Sequence, residues 1–333
     1  MEEELDDEVE TDSDKIENDS FGVKTSDSQS STNPFDRQKS PSIELHDGEE
    51  LTVKTAQLIT ARSQTRVVVL AGDSESGKTT LLTAIYEKFQ RGSFAGFSFA
   101  GSQTLMGFER RCWHSRIASN ANLPETQRTI SGEQNLLHLR LRKNQDKTNV
   151  KRDILLFDIS GEDFREARTS REVCLQFEVL KRADHLVLLI DGAKIADVNL
   201  RHEALRNSRQ LLQRFLDLEM LPQKPNINVL FTKYDLIQQQ EQDPIIIEFL
   251  QSVESTFTEN FARRVATLLF YQVAARPTGI SQLKFGHGLE EPFSKWIEET
   301  PFSSVVSTFP ATNPVIAVRE FDRYLHRRLY FDA

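Results

Sequence analysis

Between Thr65 and Ala71 the chain runs Thr-Arg-Val-Val-Val-Leu-Ala and then meets glycine. That is the pattern of a short strand buried on both faces. A polar, glycine-punctuated octet follows, and from Thr80 to Phe89 apolar residues return at helical spacing. The same reading predicts strands over 136–142, 153–159, 185–190, 227–232 and 266–273, with helices over 104–118, 199–218, 244–264 and 288–299. Trp296, in the last of these, reads as core. Strands alternating with helices require crossover connections, so the predicted class is α/β with a mainly parallel central sheet covered on both faces. The polar loop between 136–142 and 153–159 also permits a local antiparallel hairpin.

The two ends break this pattern. Residues 1–50 lack apolar periodicity and carry 17 Asp/Glu against 4 Lys/Arg, while the remainder carries 33 against 37. A segment of that composition buries too little surface to offset its ordering entropy, so 1–50 is expected to be a disordered acidic leader. It reads as a solubilising tail or as a tether for basic surfaces. The main body is expected over 51–300, with an insert near 92–131 and an appended C-terminal segment over 301–333. That segment mixes aromatic residues with Arg319, Arg323, Arg327 and Arg328, suiting a docking helix or a basic-aromatic partner surface. The body's slight basic excess is no strong nucleic-acid signal. No apolar run approaches the roughly 20 residues of a membrane helix. The start, MEEELDDEVE, is unlike a secretory signal. With only Cys112 and Cys174, these features point to a reducing, cytoplasmic setting.

The octet Gly72, Asp73, Ser74, Glu75, Ser76, Gly77, Lys78, Thr79 fits G-x-x-x-x-G-K-[ST] at every fixed position, between a strand and a helix where phosphate chemistry needs it. Its glycines let the backbone approach phosphate oxygens, and N–H groups from Glu75 to Thr80 would turn inward at a helix N-terminus. Lys78 would place a charge between the β- and γ-phosphates, and the Thr79 hydroxyl would ligate Mg²⁺.

Two further motifs follow in order. Asp158, at the end of an apolar strand, stands where a carboxylate holds Mg²⁺ directly or through water. Gly161, three residues on, leaves its N–H open to a γ-phosphate. Thr232 ends the strand at 227–232 and Lys233 and Asp235 follow it, at the carboxyl end where open α/β sheets bind ligands. The Asp235 carboxylate can accept from guanine N1–H and the 2-amino group, whereas adenine offers a lone pair there and no 2-amino group. The Lys233 stem can lie along the purine ring.

These three motifs in this order resemble the TRAFAC class of P-loop GTPases, which includes the Ras-like switches. The resemblance implies a three-layer P-loop NTPase fold, GTP or GDP as ligand and Mg²⁺ as cofactor. A narrower resemblance rests on Phe99-Ala-Gly-Ser-Gln-Thr-Leu105 followed by Gly107-Phe-Glu-Arg-Arg111, which is similar to the bacterial double-GTPase group. That group is associated with conflict and defence loci, implying a role such as antiviral defence and a protein partner, another GTPase among the candidates.

Against the family pattern, Lys78 and Asp158 lie 80 residues apart, which implies the insert. Switch I is expected between Asn122 and Ser131, with Thr129 completing the Mg²⁺ shell and Thr126 as the alternative. Glu162 stands where many members carry Gln or His to orient the attacking water. An acid there adds negative charge beside the γ-phosphate, so slow hydrolysis is expected. Arg165, Arg168 and Arg171 recur every three residues, as one solvated helix face or as a source of charge stabilisation in cis; Arg128 is another such source. Ala274 and Ala275 are the candidates for a backbone N–H reaching guanine O6. The leading expectation is a slow Mg²⁺-dependent GTPase switch, with Lys78, Gly161, Glu162 and Thr129 at the chemistry. A guanine-nucleotide-binding module that scarcely hydrolyses, and an ATP-dependent P-loop enzyme, stand beside it.

Overall fold

The computed structural model describes residues 46–113, 129, 131–145, 150–240, 244–279 and 281–298. The leader before residue 46, Thr126 and Arg128 of the expected switch I, and the segment 301–333 lie outside them. The elements in chain order are α1 (Val53–Thr60), β1 (Thr65–Gly72), α2 (Lys78–Arg91), β2 (Phe97–Gly101), α3 (Leu105–Trp113), β3 (Asn135–Lys143) and β4 (Lys151–Asp158). Then come α4 (Gly161–Ala167), α5 (Arg171–Leu175), β5 (His185–Asp191), α6 (Gly192–Ala196), α7 (Arg201–Asp217) and β6 (Asn226–Thr232). The last are α8 (Tyr234–Gln238), α9 (Pro244–Phe261), β7 (Thr267–Gln272) and α10 (Glu290–Ile297).

The described residues form a seven-stranded sheet in the order β2-β3-β4-β1-β5-β6-β7. β1 pairs in parallel with β4 and β5, and β6 lies parallel to both β5 and β7. β3 runs antiparallel to β4 and β2 antiparallel to β3, so the hairpin alternative holds for 136–142 and 153–159. The strand residues alternate between two cores. Val67, Val69 and Ala71 of β1 face one core with Phe164, Phe215 and Phe257. Val68 and Leu70 face the other with Leu82, Ile85, Phe108, Phe293 and Trp296. Each buried Val, Leu, Ile or Phe side chain stabilises the fold by roughly 1.5–3 kcal/mol. The result is the expected three-layer α/β arrangement with a mixed, mainly parallel sheet. Among the described residues, no helix is long and apolar enough to cross a membrane.

Three local features depart from the pattern read in the sequence. β2 is an edge strand with a register shift between Phe99 and Gly101, and its short, half-exposed, glycine-ended run has no strand signature. The arginines at 165, 168 and 171 do not share one helix face. α4 stops at Ala167, and α5 starts anew behind Ser170, whose side chain accepts from Val173 N–H. Finally, residues 46–50, expected within the leader, are part of the folded body. Gly107 N–H donates to the Gly48 carbonyl at 3.1 Å, Leu51 pairs with Leu136, and Glu49 and Glu50 bond Arg110 and Arg111. Ion pairs and backbone bonds hold this strap, so apolar periodicity could not reveal it.

Candidate functional site

The loop from β1 to α2 is tightly determined. A Cβ on Gly72 would stand 2.7 Å from the Leu189 carbonyl oxygen, and Gly77 enters α2 in the left-handed region at φ 88°. Glu75 also lies at φ 65°, a conformation uncommon for a residue with a side chain and found often at functional loops. Lys78 is buried, and its Nζ donates to the carbonyls of Gly72 and Asp73 at 2.9 and 3.0 Å. Burial lowers its pKa from the ordinary 10.5 to about 8, against the opposing pull of Asp158, Asp73 and Asp163. The ammonium therefore sits in a desolvated position, where an anion's charge interacts more strongly than in water.

At the end of β4, Asp158 is fully buried. Its Oδ2 accepts from the Thr79 hydroxyl at 3.2 Å and the Thr129 hydroxyl at 2.9 Å, and those two oxygens are 3.4 Å apart. Among the described residues, its Oδ1 is buried with no hydrogen-bond partner, an arrangement that is costly unless a cation or donor meets it. No group of three His, Cys, Asp or Glu side chains is placed to hold a metal among the described residues. One carboxylate and two hydroxyls are the hard oxygen donors that suit Mg²⁺ completed by phosphates and water.

Gly161 lies against the P-loop, where a Cβ would fall 2.2 Å from the Ser74 nitrogen. Gly161→Ala is accordingly expected to overpack this contact and to destabilise the protein by about 1–3 kcal/mol. A denaturant midpoint that falls with unchanged slope would show it, and an unchanged midpoint would contradict it. Glu162 is exposed in the first turn of α4, its N–H donating to the Ser160 hydroxyl at 3.2 Å.

Beside Gly77 and Thr80, a cleft of about 580 Å³ is lined by Lys233, Asp235, Ala275 and Thr278, among others. Lys233 adopts φ 48° and its Nζ meets Asp191 at 3.1 Å. Asp235 is buried, and its Oδ2 accepts the Thr278 N–H at 2.9 Å, which fixes the carboxylate's direction. Thr232 also lines the cleft. Its buried hydroxyl donates to the Ser76 carbonyl at 2.8 Å and approaches the Ile190 carbonyl at 3.2 Å, stitching β6 to the P-loop. The two alanines separate: Ala275 lines the cleft, whereas the Ala274 N–H is bonded to the His287 carbonyl at 3.0 Å.

The three motifs thus touch one another, Thr79 with Asp158 and Thr232 with Ser76, along the carboxyl ends of β4, β1 and β6. Around Asp73, reading by sequence missed a cluster. Arg168 Nη1 lies 3.3 Å from Oδ1 and Arg165 Nε 3.8 Å, while Lys194 Nζ and Asn207 Nδ2 reach Oδ2 at 3.6 and 3.4 Å. Arg168 is largely buried and is not part of a solvated face. Asp163 was also missed. It accepts from the Ser131 hydroxyl and the Gly132 N–H, anchoring the chain just past Thr129. Neither carries a local motif, since each joins residues far apart in sequence.

Comparison with known proteins adds the family. The GTPase-like domain of S. cerevisiae Ski7 bound to GTP aligns with 74% of this chain and 52% of that one, at 15% identity and TM-score 0.42. The same domain bound to GDP and inorganic phosphate aligns with 66% and 45%, at 16% identity and TM-score 0.41. The chain spans about half the length of those two solved chains. No curated protein matches it. The sequence model of the Double-GTPase 2 family matches residues 66–297, taking in the sheet, the P-loop, Asp158 and Asp235. By that match from β1 through α10, the chain belongs to the Double-GTPase 2 family.

Proposed function

We propose that this protein binds GTP and GDP with Mg²⁺, hydrolyses GTP slowly and acts as a nucleotide-gated switch. One observation carries the reading. The Thr79 and Thr129 hydroxyls meet on Asp158 at the start of α2, and Asp235 lines a cleft that also takes in Gly77 and Thr80 of the same loop and helix. A mononucleotide laid along the loop would reach both. In this reading the N–H groups from Glu75 to Thr80 and Lys78 hold the phosphates. Thr79, Thr129 and Asp158 hold Mg²⁺, whose charge offsets that of the β- and γ-phosphates. Asp235 pairs with guanine, Lys233 covers one ring face, and Ala275 is favoured over Ala274 for the O6 contact because the latter's N–H is engaged. Gly161, against Ser74, links the γ-phosphate position to α4, which would move with the nucleotide state.

Glu162 makes intrinsic turnover slow, because an exposed carboxylate next to the γ-phosphate opposes the charge that builds there. Single-turnover phosphate release from Mg·GTP tests this. Slow, Mg²⁺-dependent release supports the switch, and a rate at the level of uncatalysed GTP would leave a binding module that uses nucleotide only to stabilise an assembly. The double-GTPase resemblance supports a second GTPase as partner and a cytoplasmic role in bacterial conflict. Recovery of a GTPase with the GTP-loaded chain, and loss of phage resistance on its deletion, test those two extensions.

A further inference from the structure

The motif that ends Gly107-Phe-Glu-Arg-Arg111 has no part in the phosphate or base contacts, yet it places a charge at the metal end of the site. Arg111 of α3 is buried, with 5% of its surface exposed. Its Nε lies 3.5 Å from Asp158 Oδ2, the oxygen that also accepts from Thr79 and Thr129. Its Nη1 is bonded to Glu50 of the strap. The approach depends on Gly107, where a Cβ would stand 2.7 Å from Glu50 Cγ, and is reinforced by Arg110 on Glu49. A guanidinium cannot shed its proton in the physiological range. Asp158 therefore has a permanent cation beside it, and Glu50 offsets that cation from the other side.

We propose that Arg111 is a resident counter-cation of the magnesium carboxylate, and that the Arg111–Glu50 pair sets the Mg²⁺ affinity of the nucleotide site. This rests on the Mg·nucleotide reading above. A divalent ion arriving at Asp158 meets like charge from Arg111, and the size of that repulsion depends on how fully Glu50 neutralises the guanidinium. The strap at 46–51 thereby becomes a control point. A partner that draws Glu50 away weakens Mg²⁺ retention, and one that tightens the pair strengthens it.

The test uses the full chain loaded with fluorescent GDP, reading nucleotide release against free Mg²⁺ to obtain the Mg²⁺ affinity. Removing the charge in Arg111→Met should raise that affinity by about tenfold, and Arg111→Lys, which keeps it, should stay within about threefold of the parent. Removing the offset in Glu50→Gln should lower affinity by about three- to tenfold. In the Arg111→Met background, Glu50→Gln should change it by less than about twofold. GDP affinity without Mg²⁺ and the melting curve separate a folding defect from this effect. Single variants that shift Mg²⁺ affinity in the same direction or not at all, or an undiminished Glu50→Gln effect without Arg111, would overturn the proposal alone. A parent protein whose GDP release ignores Mg²⁺ would overturn the Mg·nucleotide reading and this proposal with it.

Discussion

Asp235→Asn is expected to turn the site from guanine to xanthine nucleotides. The carboxylate is buried and fixed by the Thr278 N–H at 2.9 Å, so it cannot swing away to water when the base changes. Guanine presents two donors to it, at N1 and the 2-amino group. An asparagine amide presents one acceptor and one donor, which clashes with the 2-amino group and matches the xanthine 2-oxo group. Sites that leave a buried polar group unpaired discriminate by about 10⁴-fold. A loss of GTP affinity approaching that size, with a gain for XTP, should appear in competition binding. Unchanged preference for GTP over XTP would remove the role assigned to Asp235.

Lys78→Met carries the second large effect. A buried ammonium meeting phosphate oxygens makes charge-assisted hydrogen bonds worth about 1.5–3 kcal/mol each, so losing two costs about 3–6 kcal/mol, or about 10²–10⁴-fold in affinity. The same variant should be more stable than the parent without nucleotide. The parent's Lys78 has its pKa lowered to about 8 by burial, so below pH 8 the fold holds a charged amine at a cost on the order of 3 kcal/mol. The sign follows. Between pH 8 and 10.5 the unfolded chain binds more protons here than the folded one, and stability from this group rises with pH through that window. Nucleotide binding runs the other way, because it needs the charged form. Affinity should fall by about tenfold between pH 7 and pH 9, a slope absent from Lys78→Met. A parent affinity flat across that range, or a variant less stable than the parent, would contradict this assignment.

The parts legible in the sequence are those encoded locally. β1, the P-loop and α2 follow one another within a few turns, and the buried parallel strands announce themselves as continuous apolar runs. Thr129 was one of two threonines that the family resemblance offered for switch I, and its hydroxyl lies 2.9 Å from Asp158 Oδ2. The parts that were hidden depend on pairs distant in sequence. Thr232 reads as part of the base motif, but the partner of its hydroxyl, Ser76, lies 156 positions away. Arg168 reads as part of a solvated face or as a source of charge in cis, and only the break after Ala167 places it on Asp73. Residues 46–50 read as leader because acids dominate them. Their order comes from Arg110, Arg111 and a glycine small enough to admit Glu50. Local propensity carries no record of such contacts.

Displacement of fluorescent GDP from the purified full chain, with Mg²⁺ present, tests the central claim most directly. GTP and GDP should compete at concentrations about 10⁴-fold below ATP, given a buried acid that can pair only with a base carrying donors. ATP displacing the probe as readily as GTP would contradict the guanine-nucleotide account.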